Sequence, residues 1–265
     1  MNAVSKPKAV ALVPARAGSR RVVHKNIRCL GHHPLLAYTI QSALQSGVFE
    51  AVVVSTDDAR YADIARHYGA QAPFLRPADL ATATSPDIEW VAHALENLAG
   101  DGHHYDCFSI LRPTSPFRTA DTLRRAWRAF AGDPRADSLR AVEPCRQHPG
   151  KMWLLRGSRM QPLLPFANGT QPWHSSQYPS LPEVYVQNAS LEIAWTRVVL
   201  EQGSIAGSAV VPFLTQGREG FDINSEDDWM LAEVLLDSGA AVLPKVDLPP
   251  YGGTGRHAVG QGGTW

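Results

Sequence analysis

A chain of 265 residues, 44% hydrophobic and 19% charged, has the apolar material for one large domain or one domain carrying an insertion. Its 25 Lys and Arg balance its 25 Asp and Glu, so no strong field marks a general nucleic-acid binder, and neither nucleic acid nor membrane is an expected partner. Cys29, Cys107 and Cys145 lie far apart with no CxxC pair, which argues against a zinc site or a disulfide framework.

The apolar run ending at Pro14 is too short for a membrane span and lacks a signal-peptide cleavage pattern, so a cytoplasmic location is expected. Within it, KAVALV reads as a buried strand. A basic loop follows, and HPLLAYTIQSALQSGVF then spaces Leu35, Leu36, Ile40, Ala43 and Leu44 as a helical stripe opened by Pro34 and closed near Gly47. EAVVVST is a second strand and DDARYADIARHYGA a second helix. SPDIEWVAHALENLAG is a third helix, with Ser85 as candidate N-cap and Pro86 at its first position. YDCFSILRPTSPF is a strand running into a loop, and Thr119 caps a helix over TADTLRRAWRAFAG.

Beyond Ala136 the pattern changes. SLRAVEP and KMWLL read as strands, LLPFANGTQPWHSSQYPSLP as an irregular excursion, and EVYVQNASLEIAWT and SAVVPFL as strands again. A closing helix starts at Ser225, with Asp228 completing a capping box. The tail, residues 250–265, is Gly-rich and expected to be flexible, leaving a single domain over 1–249. Strand–helix alternation implies an α/β fold, a mostly parallel sheet with helices on both faces and ligands beyond the carboxyl ends of its strands.

The loop VPARAGSRRVVHKN would open onto that edge, beside RPTSPF. It gathers Arg16, Arg20, Arg21, His24 and Lys25 next to Gly18 and Ser19 without a single acid. Neither Walker A nor GxGxxG spacing is present. Amide, hydroxyl and cationic donors there suit a triphosphate, although a merely solvated basic loop has the same composition.

The segments LVPARAGSRRVVHKN, PLLAYTIQSALQSG, PFLRPADLA, RPTSPFR, HPGKMW, LPEVYVQNASLEI and GFDINSEDDW, in this order, resemble the sugar-acid cytidylyltransferases of the acylneuraminate type over roughly Ala9 to Leu236. The resemblance implies a Rossmann-like nucleotide-binding sheet with an inserted dimerisation element over about 144–182, hence a homodimer. It implies attack by the anomeric hydroxyl of an α-keto acid sugar on the α-phosphorus of CTP, with Mg2+ as cofactor and pyrophosphate as product. Arg16, Lys25 and Asp222 take the catalytic positions. Ala15, Gly18, Ser19, Arg20, Asn26, Arg76 and Ser85 match the nucleotide-binding ones, with Arg76 equally suited to tying its loop to an acidic neighbour. Arg112, Thr114, Ser115, Lys151, Gln177 and Asn188 match substrate positions. Asp222, expected at the end of a strand, is the carboxylate placed for the metal, with Asn224 where relatives carry a second aspartate.

Three departures bear on activity and substrate. Arg112 stands where sialate-specific members carry glutamine, and Ser176 where they carry an arginine, so Arg112 is a candidate replacement clamp for the sugar carboxylate. Arg21 replaces a glycine and is expected to reshape the loop. These leave open the same chemistry on an eight-carbon keto sugar acid or a phosphonate, and a non-catalytic nucleotide-binding homologue. The histidines show no metal-ligand spacing; His148 alone falls near the expected sugar site. Trp153, Trp173, Trp195 and Tyr185 read as packing or interface aromatics.

Overall fold

The structure, a computed structural model, describes residues 6–252. Strand β1 (Ala9–Pro14) divides its side chains between two cores. Ala9, Ala11 and Val13 enter one, Val10 and Leu12 the other. Successive strand side chains point to opposite faces, so an unbroken apolar run means burial on both. Helix α1 (Leu35–Ser46) follows and closes at Gly47, whose φ of 64° is the left-handed conformation a glycine C-cap supplies. Strand β2 (Ala51–Ser55) pairs parallel with β1, and Asp58 then caps helix α2 (Ala59–His67) by accepting from the amides of Arg60 and Tyr61.

Helix α3 (Asp87–Gly100) differs from expectation at its start. Pro86 is the N-cap and no side chain caps it; the Ser85 hydroxyl instead donates to the Asp79 carbonyl at 2.8 Å. Strand β3 (Cys107–Ile110) pairs parallel with the other edge of β1, and Thr119 and Thr122 form a capping box on helix α4 (Ala120–Ala131). Strand β4 (Ser138–Pro144) leads into a hairpin of β5 (Trp153–Arg156) and β6 (Arg159–Pro162), outside the main sheet. Strand β7 (Tyr185–Trp195), helix α5 (Thr196–Leu200), strand β8 (Val210–Leu214) and helix α6 (Glu226–Asp237) complete the fold. The Ser225–Asp228 capping box opens α6 as expected.

The main sheet has six strands in the order β8-β4-β7-β3-β1-β2, with only β7 antiparallel to its neighbours. The core with α1, α2 and α4 lies on one face, that with α3 and α5 on the other. The chain steps from β1 to β2, then crosses to β3 on the opposite side of β1. This reversal makes the carboxyl ends of β1 and β3 a topological switch point, where open α/β sheets bind ligands. A third core around Trp229, Leu35, Tyr38, Phe117 and Ile223 fastens α6 beside that edge.

The region from 144 to 182 carries, as anticipated, short irregular elements besides the hairpin. Leu155 is 78% exposed, and Met160 and Phe166 are also exposed. At the other end, Pro249 accepts from His67 Nε2 at 2.7 Å and the Tyr251 amide donates to the Tyr68 hydroxyl at 3.1 Å. The first residues of the expected flexible tail are therefore docked on the end of α2, and 253–265 lie outside the described residues. No helix among the described residues is long and apolar enough to cross a membrane.

Candidate active site

The basic loop leaves β1 at the switch point and is shaped by its own chain. The Ala15 amide donates to the Ser55 carbonyl at 3.0 Å, the Ala17 amide to Asp57 Oδ1 at 2.9 Å, and Asn26 Nδ2 to the Arg16 carbonyl at 3.1 Å. The left-handed residue is His24, with φ 51°, held by a 3.1 Å hydrogen bond between Nδ1 and the Tyr61 hydroxyl. Arg21 has no positive φ, so its side chain is accommodated there without left-handed backbone strain. Gly18 meets only the tip of Arg16 within 4 Å of a notional Cβ, so nothing inside the chain requires a glycine.

This loop borders a cleft of 260 Å3. Arg16, Ser19, Lys25 and Asn26 enter from the loop, Arg76, Ser85 and Trp90 from one side, and Arg112 and Thr114 from the end of β3. Ala15, Gly18 and Arg20 do not line it, and the Ala15 amide is spent on the sheet. Buried Arg76 donates to the Ser55 hydroxyl at 3.0 Å and its carbonyl at 2.8 Å, with its guanidinium 4.8 Å from the Trp90 ring centroid. It thus ties its loop to β2 and not to an acidic neighbour. Burial pulls its pKa down to about 10, so a nearby anion would be favoured strongly.

Lys25 links this cleft to Asp222. Its ammonium donates to the Ile223 carbonyl at 2.7 Å. Burial holds its pKa below the usual lysine value, with Asp222 opposing. Asp222 does not end a strand: β8 stops at Leu214, and Asp222 lies in the coil before α6, fixed by the Ile223 amide donating to the Thr114 carbonyl at 2.9 Å. Asn224 Nδ2 donates to Asp222 Oδ2, while Asn224 Oδ1 accepts from Arg21 at 3.3 Å. Asp222 Oδ1 is buried without a partner. An orphaned carboxylate oxygen beside a cationic loop fits a hard divalent cation. No cluster of three or more His, Cys, Asp or Glu among the described residues could cage a metal, so the remaining ligands would come from triphosphate and water.

Beside this cleft lies a larger one of 640 Å3, bordered by Asp222, Asp228, Asn188, Glu143, Arg146 and Arg218. Arg112 lines both. Its fork is already filled: Nη1 donates to Glu192 Oε1 at 2.6 Å and Nη2 to Asp87. Burial lowers its pKa, but the two carboxylates outweigh that and raise it. Arg112 is therefore a strut between α3 and β7, not a free clamp for the sugar carboxylate. Buried Arg118 fixes the Arg112 carbonyl from below and also donates to Ser190 O and, at 2.9 Å, to Thr39 Oγ1. Ser115 is buried with its hydroxyl unpartnered.

Asn188 lies within an irregular stretch of β7, where the pairing with β4 shifts register between Gln187 and Glu192. Its Nδ2 donates to Thr215 Oγ1 at 2.9 Å and Glu143 Oε2 at 3.3 Å. A Cβ on Gly220 would stand 2.3 Å from that Glu143 oxygen and 2.5 Å from that Asn188 nitrogen. Gly220→Ala is accordingly expected to displace Asn188 and weaken several-fold the binding of whatever the larger cleft holds, with binding in the smaller cleft little changed, as ligand titration would show.

Lys151 and Gln177 line neither cleft. The Lys151 ammonium donates to the carbonyls of His174, at 3.1 Å, and Ser176, and faces the Tyr178 ring. Ser176 is buried, its hydroxyl donating to the Pro172 carbonyl at 3.0 Å. His148 is buried, accepting from the Gly150 amide through Nδ1 and donating to the Pro182 carbonyl through Nε2. Both nitrogens are engaged, so it is placed for structure and not as a base. Among the aromatics, Trp195 packs on Phe130, whereas Trp153 and Tyr185 remain exposed.

Sequence reasoning missed Asp57, Asp87 and Glu192. Asp57 carried a readable signal, an acid directly after a strand ending at the switch point. Asp87 and Glu192 carried none, because their partner Arg112 is distant in the chain.

A mostly parallel sheet whose switch point presents a cationic loop, with a carboxylate residue bordering a second cleft, is the architecture of an α/β nucleotidyltransferase. The cytidylyltransferase family model matches residues 10–116. The CMP-N,N'-diacetyllegionaminic acid synthase of Legionella pneumophila is 34% identical over 242 residues, covering 88% of this chain and 98% of that protein. The N-acylneuraminate cytidylyltransferase of Escherichia coli is 43% identical over 123 residues, 46% of this chain and 28% of that protein. This chain belongs to the sugar-acid cytidylyltransferase family. A solved structure of CMP:2-keto-3-deoxy-manno-octonic acid synthetase complexed with CTP aligns with a TM-score of 0.64 at 13% identity, over 88% of this chain and 99% of that one, a likeness of fold.

Proposed function

We propose that the protein transfers CMP from CTP to the anomeric hydroxyl of a nonulosonic acid, with a diacetylated acid of the legionaminate kind as first candidate. The hydroxyl oxygen bonds to the α-phosphorus, the bond from that phosphorus to the bridging β-phosphate oxygen breaks, the hydroxyl proton departs and pyrophosphate leaves. What carries this reading is the meeting of two clefts, one cationic and one large enough for a sugar, at Arg112 and along the Lys25–Ile223–Asp222 line. The end-to-end likeness to the Legionella synthase supports the sugar class.

Arg16 and Lys25 would neutralise the triphosphate, and Ser19 and Asn26 would line its path. Arg76, held flat on Trp90, is placed for the nucleotide end of the same cleft. Thr114 and Ser115 shape the wall beneath the reacting atoms. Asp222 would hold Mg2+, with Asn224 orienting it; when bound, the cation would stabilise charge developing on the α-phosphate. Holding both reactants at this junction supplies the positioning on which such a transfer depends.

The exposed apolar side chains of the insertion support a homodimer through that region, and a cytoplasmic enzyme fits the supply of CTP. Purified protein with CTP, Mg2+ and a panel of N-acetylneuraminate, legionaminate, pseudaminate and the eight-carbon keto acid is expected to release pyrophosphate with a nonulosonate. Release with the eight-carbon acid alone would replace this reading with its rival.

Asn224 supplies a neutral amide to Asp222, so Asn224→Asp adds a negative charge beside it. The expected result is a several-fold lower half-saturating Mg2+ concentration, read by titrating the metal at fixed CTP.

A further inference from the structure

We propose that Arg146 and Arg218 anchor the carboxylate of the acid sugar in the larger cleft. The inference rests on the function proposed above and names what holds its second substrate.

In an α-keto acid sugar the carboxylate is attached to the anomeric carbon, the same carbon that bears the attacking hydroxyl. Whatever binds that carboxylate must therefore line the cleft that contains Asp222. The cations placed by the sequence at substrate positions are committed elsewhere. Arg112 has both arms on carboxylates, and Lys151 is tied to two carbonyls outside the cleft.

Arg146 and Arg218 line the cleft with Asp222. Both are exposed, and their side chains make neither a hydrogen bond nor an ion pair among the described residues. None of the acids sharing their cleft, Glu143, Asp222 and Asp228, pairs with either guanidinium. Glu143 accepts from Asn188, and Asp228 Oδ2 accepts from the Asn224 and Ser225 amides, both at 2.8 Å. The two guanidinium groups thus stand unpaired in a site that must take an anion.

Their backbones are fixed although their side chains are free. Glu219, next to Arg218, accepts from Thr122 Oγ1 at 2.7 Å, from Arg125, and from the Gln216 amide at 2.8 Å, which pins the turn to α4. The amide of Cys145, next to Arg146, donates to the Val184 carbonyl at 2.8 Å at the end of β4. A guanidinium fork on a fixed backbone suits a carboxylate bidentately, which neither lysine nor serine reproduces.

The test is steady-state kinetics of Arg146→Ala, Arg218→Ala and both Lys variants, with CTP and acid sugar varied separately. Each alanine variant is expected to raise the KM for the acid sugar about 10- to 100-fold, the size of a lost charged hydrogen bond. The KM for CTP should stay within about twofold, and the lysine variants should recover part of the loss through charge alone. An unchanged sugar KM in an active enzyme would overturn this inference alone. A rise in the KM for CTP instead would also overturn it, by giving these arginines to the triphosphate. Absence of turnover by the unaltered protein with every nonulosonate would overturn the functional reading and this inference with it.

Discussion

Asp222→Ala is expected to lower kcat at least a hundredfold, on the order of what removing one preorganised electrostatic contact costs a charge-developing transition state. The same variant should melt at an equal or higher temperature than the unaltered protein. Asp222 Oδ1 is buried with no partner, so the folded chain bears an uncompensated carboxylate oxygen. Removing it loses one hydrogen bond from Asn224 and relieves that burden. Activity lost with stability kept is the signature of a group held for function. Calorimetry and pyrophosphate release on one preparation check both halves. A variant that unfolds would assign Asp222 to the scaffold, and one that turns over normally would remove it from the chemistry.

Glu192→Ala is expected to do the opposite, acting first on stability. The Glu192 side chain is 4% exposed and receives Arg112 at 2.6 Å and also Arg140. Its removal leaves two largely buried guanidinium groups without their shared carboxylate. Breaking such a pair from one side costs about 3–5 kcal/mol, because the remaining charge stays desolvated. For a chain of this size the melting temperature should fall on the order of 10 °C. Asp87 still holds one arm of Arg112, so the fold should survive at room temperature. Denaturant unfolding would measure the loss, and a change below about 1 kcal/mol would show that the network contributes little.

The two cases separate what the sequence made readable from what it hid. The double-faced apolar runs of β1, β2 and β3 announce a buried parallel sheet, and the Thr119 and Ser225 caps are local signals that fix helix starts. The switch-point loop was legible for the same reason, since a basic stretch after the first strand has one place to go. Ser85 was misread because a serine before proline has the residue type of a cap, while its hydroxyl accepts from the Thr82 amide at 3.2 Å and donates to the Asp79 carbonyl. Arg112 was misread because its chemistry depends on Asp87 and Glu192, which local patterns do not connect to it. Arg21 and Asn224, two apparent defects in a family pattern, contact one another. Single-position reasoning has no means of finding such a pair.

The central claim is that the nucleotide's α-phosphorus is transferred to a sugar hydroxyl. Phosphorus NMR of CTP, Mg2+, the acid sugar and the protein tests it most directly. The three CTP resonances should be replaced by one phosphodiester signal and one pyrophosphate signal in equal molar amounts. Conversion of CTP to CDP and inorganic phosphate, or CTP resonances unchanged beside every acid sugar, would contradict it.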